Sequence, residues 1–233
     1  MKNYYRPVKN GTHNSERPYE IGQLQKENCA KKAMELVKDG MVIGLGSGST
    51  LVYFTRFLGH SNLNVRVVVS SNQILKVAQE VGLEIVDFES VDKIDLAVDG
   101  ADQVDKEFNL LKGLGAFAVV GEKKLDYFAE KCVIVVDESK ISNVLDRNVI
   151  LEINPHKLES VKKSLMNFDC KIVKETMHEG NSVVFLDFGV IENAAELEMK
   201  IDEIKGVNGN GIFANFKNPI DVIVGKNQGA EFL

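Results

Sequence analysis

The sequence predicts an α/β protein in which a helix-covered parallel sheet carries a second, smaller α+β unit, and three observations in its 233 residues predict it. Short apolar runs alternate with segments of helical spacing from Ile21 to Val136, as in a parallel sheet wrapped by helices. The pattern then changes near residue 148 to a β-α-β-β-α order, the beginning of a ferredoxin-like split βαβ unit that Val207 onward completes. Last, Gly211 to Phe216 and Ile220 to Gly225 return to the apolar strand pattern and rejoin the first unit.

Each element has its own signal. Ile21, Leu24, Ala30, Ala33, Met34 and Val37 recur at helical spacing and stop at Gly40, a residue favoured just past a helix end. Met41 to Leu45 reads as a strand, after which Gly46-Ser47-Gly48-Ser49-Thr50 turns the chain into a helix through Phe57, with Leu51, Phe54 and Leu58 on one face. Val65 to Val69, Leu83 to Phe88 and Ile94 to Val98 read as strands around a helix from Asn72 to Val81. Glu122 to Lys131 reads as a helix and Cys132 to Val136 as a buried strand. The smaller unit follows: strand Asn148 to Ile153, helix Pro155 to Phe168, strand Cys170 to Thr176, a Gly180-Asn181 turn, strand Ser182 to Phe188 and helix Asn193 to Ile204. The expected division is 20–147 plus 208–233 for the main unit and 148–207 for the smaller one.

Composition narrows the function. Hydrophobic content of 44% and charged content of 27% are those of a soluble globular protein, and no apolar run approaches the roughly 20 residues of a membrane-spanning helix. A net charge of -6 without clustered Lys and Arg argues against nucleic acid as a partner. Cys29, Cys132 and Cys170 are widely spaced and odd in number, which suits buried thiols in a reducing cytoplasm. His13, His60, His156 and His178 are scattered without metal-ligand spacing, so no metal site is expected. Met1 to Tyr19 is a polar extension lacking the apolar core of a signal peptide, and at about twenty residues it is too short for a DNA-binding module.

Candidate chemistry gathers where strands end. Asp99-Gly100-Ala101-Asp102 puts two carboxylates at the mouth of an apolar strand, and Lys112 follows in the glycine run Lys112-Gly113-Leu114-Gly115-Ala116. Asp and Gly also serve plain turns, and a surface ion pair is worth little. Near a reacting oxygen, however, a lysine stabilises an enediolate, while like charge and burial raise the proton affinity of one carboxyl. Gly44-Leu45-Gly46-Ser47-Gly48-Ser49-Thr50 fits neither the dinucleotide fingerprint nor the P-loop. It supplies backbone N-H groups, two hydroxyls and a helix N-terminus, which suit a phosphate monoester or, equally, a tight turn in which Ser49 or Thr50 caps the helix. Glu122 stands at a helix start, where the dipole alone favours a glutamate.

The ordered succession of these motifs, with Ser70-Ser71, Glu122-Lys123, Asp137-Glu138-Ser139-Lys140 and Gly211-Ile212-Phe213-Ala214, resembles the type A ribose-5-phosphate isomerases from about Lys26 to Gly225. The resemblance implies a Rossmann-like domain joined to a ferredoxin-like one. It also implies interconversion of ribose 5-phosphate and ribulose 5-phosphate through an enediol, in the non-oxidative pentose phosphate pathway, without metal or organic cofactor. By motif, Glu122 becomes the base, Asp99 and Asp102 assist ring opening and proton traffic, and Lys112 stabilises negative charge. Gly46, Ser47, Gly48, Ser49, Thr50, Gly113, Gly115, Lys140 and, by helix alignment, Lys26 become the sugar-phosphate contacts. The partner is a small sugar phosphate, and a cytoplasmic homo-oligomer, dimer or tetramer, is expected from the family. The chain departs from the family pattern in three places: Leu114 interrupts the glycines, Gln103 replaces a carboxylate, and one extra residue separates Lys112 from Glu122. A bulge at Val120-Gly121 is expected to absorb the last. A sugar-phosphate sensor and another enzyme on a related scaffold, such as an amino-sugar-phosphate isomerase-deaminase or a coenzyme A transferase, are the alternatives.

Overall fold

The computed structural model describes residues 16–115 and 117–233. Helix α1 (Glu16–Met34) leads into β1 (Val42–Leu45), α2 (Ser49–Gly59), β2 (Arg66–Val69), α3 (Asn72–Glu80) and β3 (Glu84–Ile85). Then come β4 (Leu96–Asp99), the short strands β5 (Gln103–Val104) and β6 (Leu110–Leu111), α4 (Val119–Phe128) and β7 (Cys132–Asp137). The smaller unit is β8 (Val149–Ile153), α5 (Leu158–Leu165), β9 (Lys171–His178), β10 (Asn181–Asp187), α6 (Ala194–Asp202) and β11 (Val207–Asn210). Strands β12 (Ile212–Phe213), β13 (Ile220–Lys226) and β14 (Gly229–Phe232) end the chain.

The main sheet has the order β14-β13-β7-β4-β1-β2-β3, parallel throughout except for the β13–β14 hairpin. Its strands are apolar on both faces because both are covered. On one face Leu51, Phe54 and Leu58 of α2 pack with Cys29, Ala30 and Ala33 of α1 against Ile43, Leu45 and Val98. On the other, Val119 and Leu125 of α4 pack against Val42, Ala97 and Ile134. Each fully buried Leu or Phe contributes roughly 1.5–3 kcal/mol of burial, so the face of α2 alone fixes that helix firmly. The second sheet, β11-β8-β10-β9, is antiparallel and has the strand order of the ferredoxin-like unit, its core formed with Val161, Leu165 and Ile201 of α5 and α6.

Several expectations need correction. The first helix begins at Glu16, so the polar extension is shorter than 1–19, and residues 1–15 lie outside the described ones. Strand 83–88 shrinks to Glu84–Ile85 because Phe88–Ser90 forms a 3-10 turn. The hairpin turn is Glu179-Gly180, both with positive φ (47° and 84°), rather than Gly180-Asn181. Gly211 to Phe216 does not rejoin the main sheet: Ile212–Phe213 pairs with β6 in a three-stranded sheet, β12-β6-β5, whose two-residue strands are too short to show a period. The helix expected over 122–131 spans 119–128.

That last shift relocates the expected bulge. Val120 and Gly121 are helical, and the unusual backbone lies upstream, at Gly113 (φ 96°) and Phe117 (φ 52°). Gly121 is required for another reason, since a Cβ there would meet the Ser70 carbonyl oxygen at 2.9 Å. Leu114, the interruption of the glycine run, packs with Phe117 against Ile150, Val183 and Phe185 of the second sheet. Gln103 holds the connection into β8: its amide donates to Asp146 Oδ1 (2.7 Å) and its carbonyl accepts from the Asp146 and Arg147 N-H groups. A carboxylate at that position would face Asp146 with like charge.

Candidate active site

The chain leaves β1 for β2 and β3 on one side and returns to β4 on the other, which makes the carboxyl ends of β1 and β4 the switch point of the sheet. Open α/β sheets bind ligands in that crevice. Here it is walled by Lys26, Ser47, Gly48, Ser49, Thr50, Asp99, Asp102, Lys112, Gly113, Gly115, Glu122 and Lys140, together with Gly100, Ala101 and the end of β7. Of the expected contacts Gly46 stands apart, behind this wall. A Cβ at Gly46 would fall inside the Asp99 carboxylate, so glycine is what lets the turn after β1 sit against β4, where its N-H donates to the Val98 carbonyl (3.0 Å).

Asp99 and Asp102 occupy different environments. Asp99 is fully buried; Oδ1 accepts from the N-H groups of Ser47 (3.0 Å) and Gly100 (2.6 Å), and Oδ2 lies 2.7 Å from Lys112 Nζ. Oδ1 is committed to those two backbone donors, whereas Oδ2 is held by the Lys112 ammonium alone. Asp102 is only half-buried, and its Oδ2 accepts from the Leu114 N-H (2.7 Å), tying down the start of the glycine loop.

The small third sheet delivers Lys112. Its backbone N-H donates to Gly211 (2.9 Å), and Nζ donates to the Gly100 carbonyl (2.5 Å) while lying 3.8 Å from Glu122 Oε2 and 3.7 Å from Asp126 Oδ2. Burial works against its charge, but Asp99, Glu122 and Asp126 outweigh that and hold the ammonium above the usual lysine range. Glu122, in the first turn of α4, accepts a hydrogen bond from the Ser47 hydroxyl. Burial pushes its carboxyl up to about 8 against the pull of Lys112, with Asp99 adding to the rise. Asp126 sits one helical turn on, buried beside Cys132, and burial followed by the charge of Asp99 holds it well above the carboxylate range. Three carboxyls thus share one ammonium, and protons retained on Glu122 and Asp126 relieve the excess negative charge. Asp126 escaped the sequence reading, although its spacing of four from Glu122 on one helix face was a usable signal.

The remaining wall is cationic and rich in donors. Ser49 and Thr50 open α2 after Gly48, whose φ of 91° needs glycine, and the helix N-terminus favours an anion there. Lys26 from α1 and Lys140 from the turn after β7 enter the same wall, neither with a carboxylate partner among the described residues. The crevice therefore combines an anion-binding set with a buried carboxyl of near-neutral proton affinity, the equipment for proton transfer on a phosphorylated small molecule.

Comparison with known proteins agrees. Residues 66–229 match the family model described as ribose 5-phosphate isomerase A (phosphoriboisomerase A). A ribose-5-phosphate isomerase A of Archaeoglobus fulgidus is 42% identical over 224 residues, covering 89% of this chain and 98% of its own. The solved ribose 5-phosphate isomerase A of Methanocaldococcus jannaschii superposes with a TM-score of 0.81 at 34% identity, over 90% of this chain and 97% of that one. A D-ribose-5-phosphate isomerase solved in complex with phospho-erythronic acid gives a TM-score of 0.84 at 34% identity, with the same coverage of 90% and 97%. Among the described residues no helix is long and apolar enough to cross a membrane.

Proposed function

The chain belongs to the ribose 5-phosphate isomerase A family and is an aldose–ketose isomerase of ribose 5-phosphate and ribulose 5-phosphate, and we propose that the crevice between β1 and β4 performs the reaction with Glu122 as the base. The observation that carries this reading is a buried glutamate, raised to about 8, held by Ser47 and Lys112 beside an anion-binding helix terminus.

In this reading Ser49, Thr50, Lys26 and Lys140 hold the phosphate, with the N-H groups of the Ser47–Thr50 turn and the glycine loop at Gly113 and Gly115 shaping the approach. Ionised Glu122 takes the proton from C2 of the open-chain aldose, the C1 carbonyl oxygen accepts the displaced electron pair, and a C1=C2 enediolate forms with its charge on O1. The same carboxyl delivers a proton to C1 as C2 becomes the carbonyl, and the proton leaving O2 passes through the Asp102 carboxylate to O1. Lys112 supplies the positive charge that the developing enediolate needs. Asp102, the less committed aspartate, handles ring opening and the oxygen-bound proton, while Asp99 orients Lys112 and the Ser47 turn. Lys112 provides the charge in this scheme, and no step of it calls on a metal or an organic cofactor. The domain limits, 20–147 plus 208–233 and 148–207, and a cytoplasmic homo-oligomer are part of the same reading.

Incubating the chain with ribose 5-phosphate and following ribulose 5-phosphate tests the activity, with phospho-erythronic acid expected to compete. Binding of the sugar phosphate without turnover would overturn the reading and favour a sensor.

A further inference from the structure

Helix α4 carries Glu122 and Asp126 on the face toward the crevice, and it is gripped from elsewhere by buried glutamates of the smaller unit. At its start no side chain of Ala118 caps it; instead Glu152 of β8 accepts from the Val120 N-H (3.2 Å). Farther along, Glu198 of α6 is 1% exposed and faces donors only. Its Oε1 accepts from Lys123 Nζ (2.6 Å) and the Tyr127 hydroxyl (2.5 Å), both on α4. Its Oε2 accepts from the N-H groups of Ala214 (2.8 Å) and Asn215 (3.0 Å) and from the Asn215 amide (2.9 Å), in the segment that follows Phe213.

These contacts reach the reacting groups by two routes. Lys123 and Tyr127 neighbour Glu122 and Asp126 on the same helix, so their tether to α6 fixes the rotation and axial position of α4. The second route runs through Phe213, whose ring borders two ammonium groups, Lys123 Nζ at 5.0 Å from its centroid and Lys112 Nζ at 5.2 Å. A buried charge hub contributes little net stability compared with apolar packing, and its attested use is to fix one geometry among several. A misplacement of about 1 Å in a catalytic group costs on the order of 100-fold in rate.

We infer that Glu198 is a positioning residue for the isomerase site, setting α4 and Phe213 so that Glu122 and Lys112 meet the sugar in register. The inference rests on the proposed activity for its kinetic readout and on Glu122 itself for a second one.

The test is Glu198→Gln, which must turn an NH2 group onto donors on one side, with Tyr127→Phe as a milder variant that removes one donor and keeps the ring. Initial rates on ribose 5-phosphate and the pH titration of the Glu122 carboxyl, followed by carbon-13 NMR, are measured with the wild type alongside. We expect kcat to fall roughly 10- to 100-fold for Glu198→Gln and less for Tyr127→Phe, with KM within about twofold. The Glu122 midpoint rises by about one unit as its contacts with Ser47 and Lys112 loosen. A lowered melting temperature with kcat and the Glu122 midpoint both unchanged would reduce Glu198 to a structural tie, and a changed KM at constant kcat would place its effect on binding; either overturns the inference. A wild type inactive on the sugar contradicts the activity alone, and the titration then decides this question by itself.

Discussion

Replacing Ser47 by alanine isolates one hydrogen bond on the proposed base. In the wild type the Glu122 carboxyl stands at about 8, so kcat/KM climbs with pH and levels off above that value, because kcat/KM reports the free enzyme. At pH 6 about one molecule in a hundred then carries ionised Glu122. The Ser47 hydroxyl, in a residue only 7% exposed, donates to this carboxylate and lowers its proton affinity. A hydrogen bond to a charged group contributes about 1.5–3 kcal/mol, and a hydroxyl that rotates to accept from the protonated acid recovers part of that. The net loss is about 1.4 kcal/mol, or about one pH unit. Ser47→Ala should therefore move the acid limb of kcat/KM from about 8 to about 9 and cut the rate at pH 7 roughly tenfold, while the high-pH plateau changes little. Initial rates across the range, with circular dichroism to verify folding, measure this. A limb that stays in place or moves down would refute the reasoning, and a fallen plateau with an unmoved midpoint would show that Ser47 touches the substrate instead.

Gly46→Ala drives a methyl group into the buried Asp99 carboxylate, and overpacking of this kind costs about 1–3 kcal/mol; urea denaturation should show the loss together with a fall in kcat, and wild-type behaviour would mean the turn yields freely. Lys26→Ala or Lys140→Ala should raise KM for ribose 5-phosphate roughly tenfold with kcat nearly unchanged, the mark of binding that ground and transition states share; unchanged KM in both would move the phosphate elsewhere. Stability should fall as pH rises from 4.5 toward 8, because the folded state, with Glu122 raised from 4.5 to about 8 and Asp126 raised in the same direction, binds more protons than the unfolded chain. Glu122's contribution, on the order of 5 kcal/mol, is fully present below pH 4.5 and is lost through about 8; urea midpoints that rise over this window would contradict the buried, protonated cluster.

Much of this architecture was legible in the chain because long periodic segments announce themselves. The parallel sheet, α2 with its Leu51, Phe54 and Leu58 face, and the β-α-β-β-α order of the smaller unit all follow from apolar spacing. The β12-β6-β5 sheet did not, since two residues carry no period, yet that sheet places Lys112 against Asp99. Glycine at 121 suggests unusual backbone angles, whereas its role is closeness to Ser70; the left-handed residue is Phe117, a poor candidate on sequence grounds that is held by Phe185 and Val183. Residue types also concealed the division of labour between Asp99 and Asp102, which only their hydrogen-bond partners separate. Glu198 gave no sequence signal at all, because its five donors come from α4 and from residues 214–215.

Proton transfer through Glu122 is most directly tested by running the isomerisation of ribose 5-phosphate in deuterium oxide and locating the label in the ribulose 5-phosphate formed. A carboxyl that takes the C2 proton and exchanges it with solvent before returning it leaves deuterium at C1, and Glu122→Gln abolishes both the turnover and the label while sugar-phosphate binding persists. Deuterium placed at a ribulose 5-phosphate carbon other than C1, or a Glu122→Gln variant that converts the sugar at close to the wild-type rate, would contradict the account.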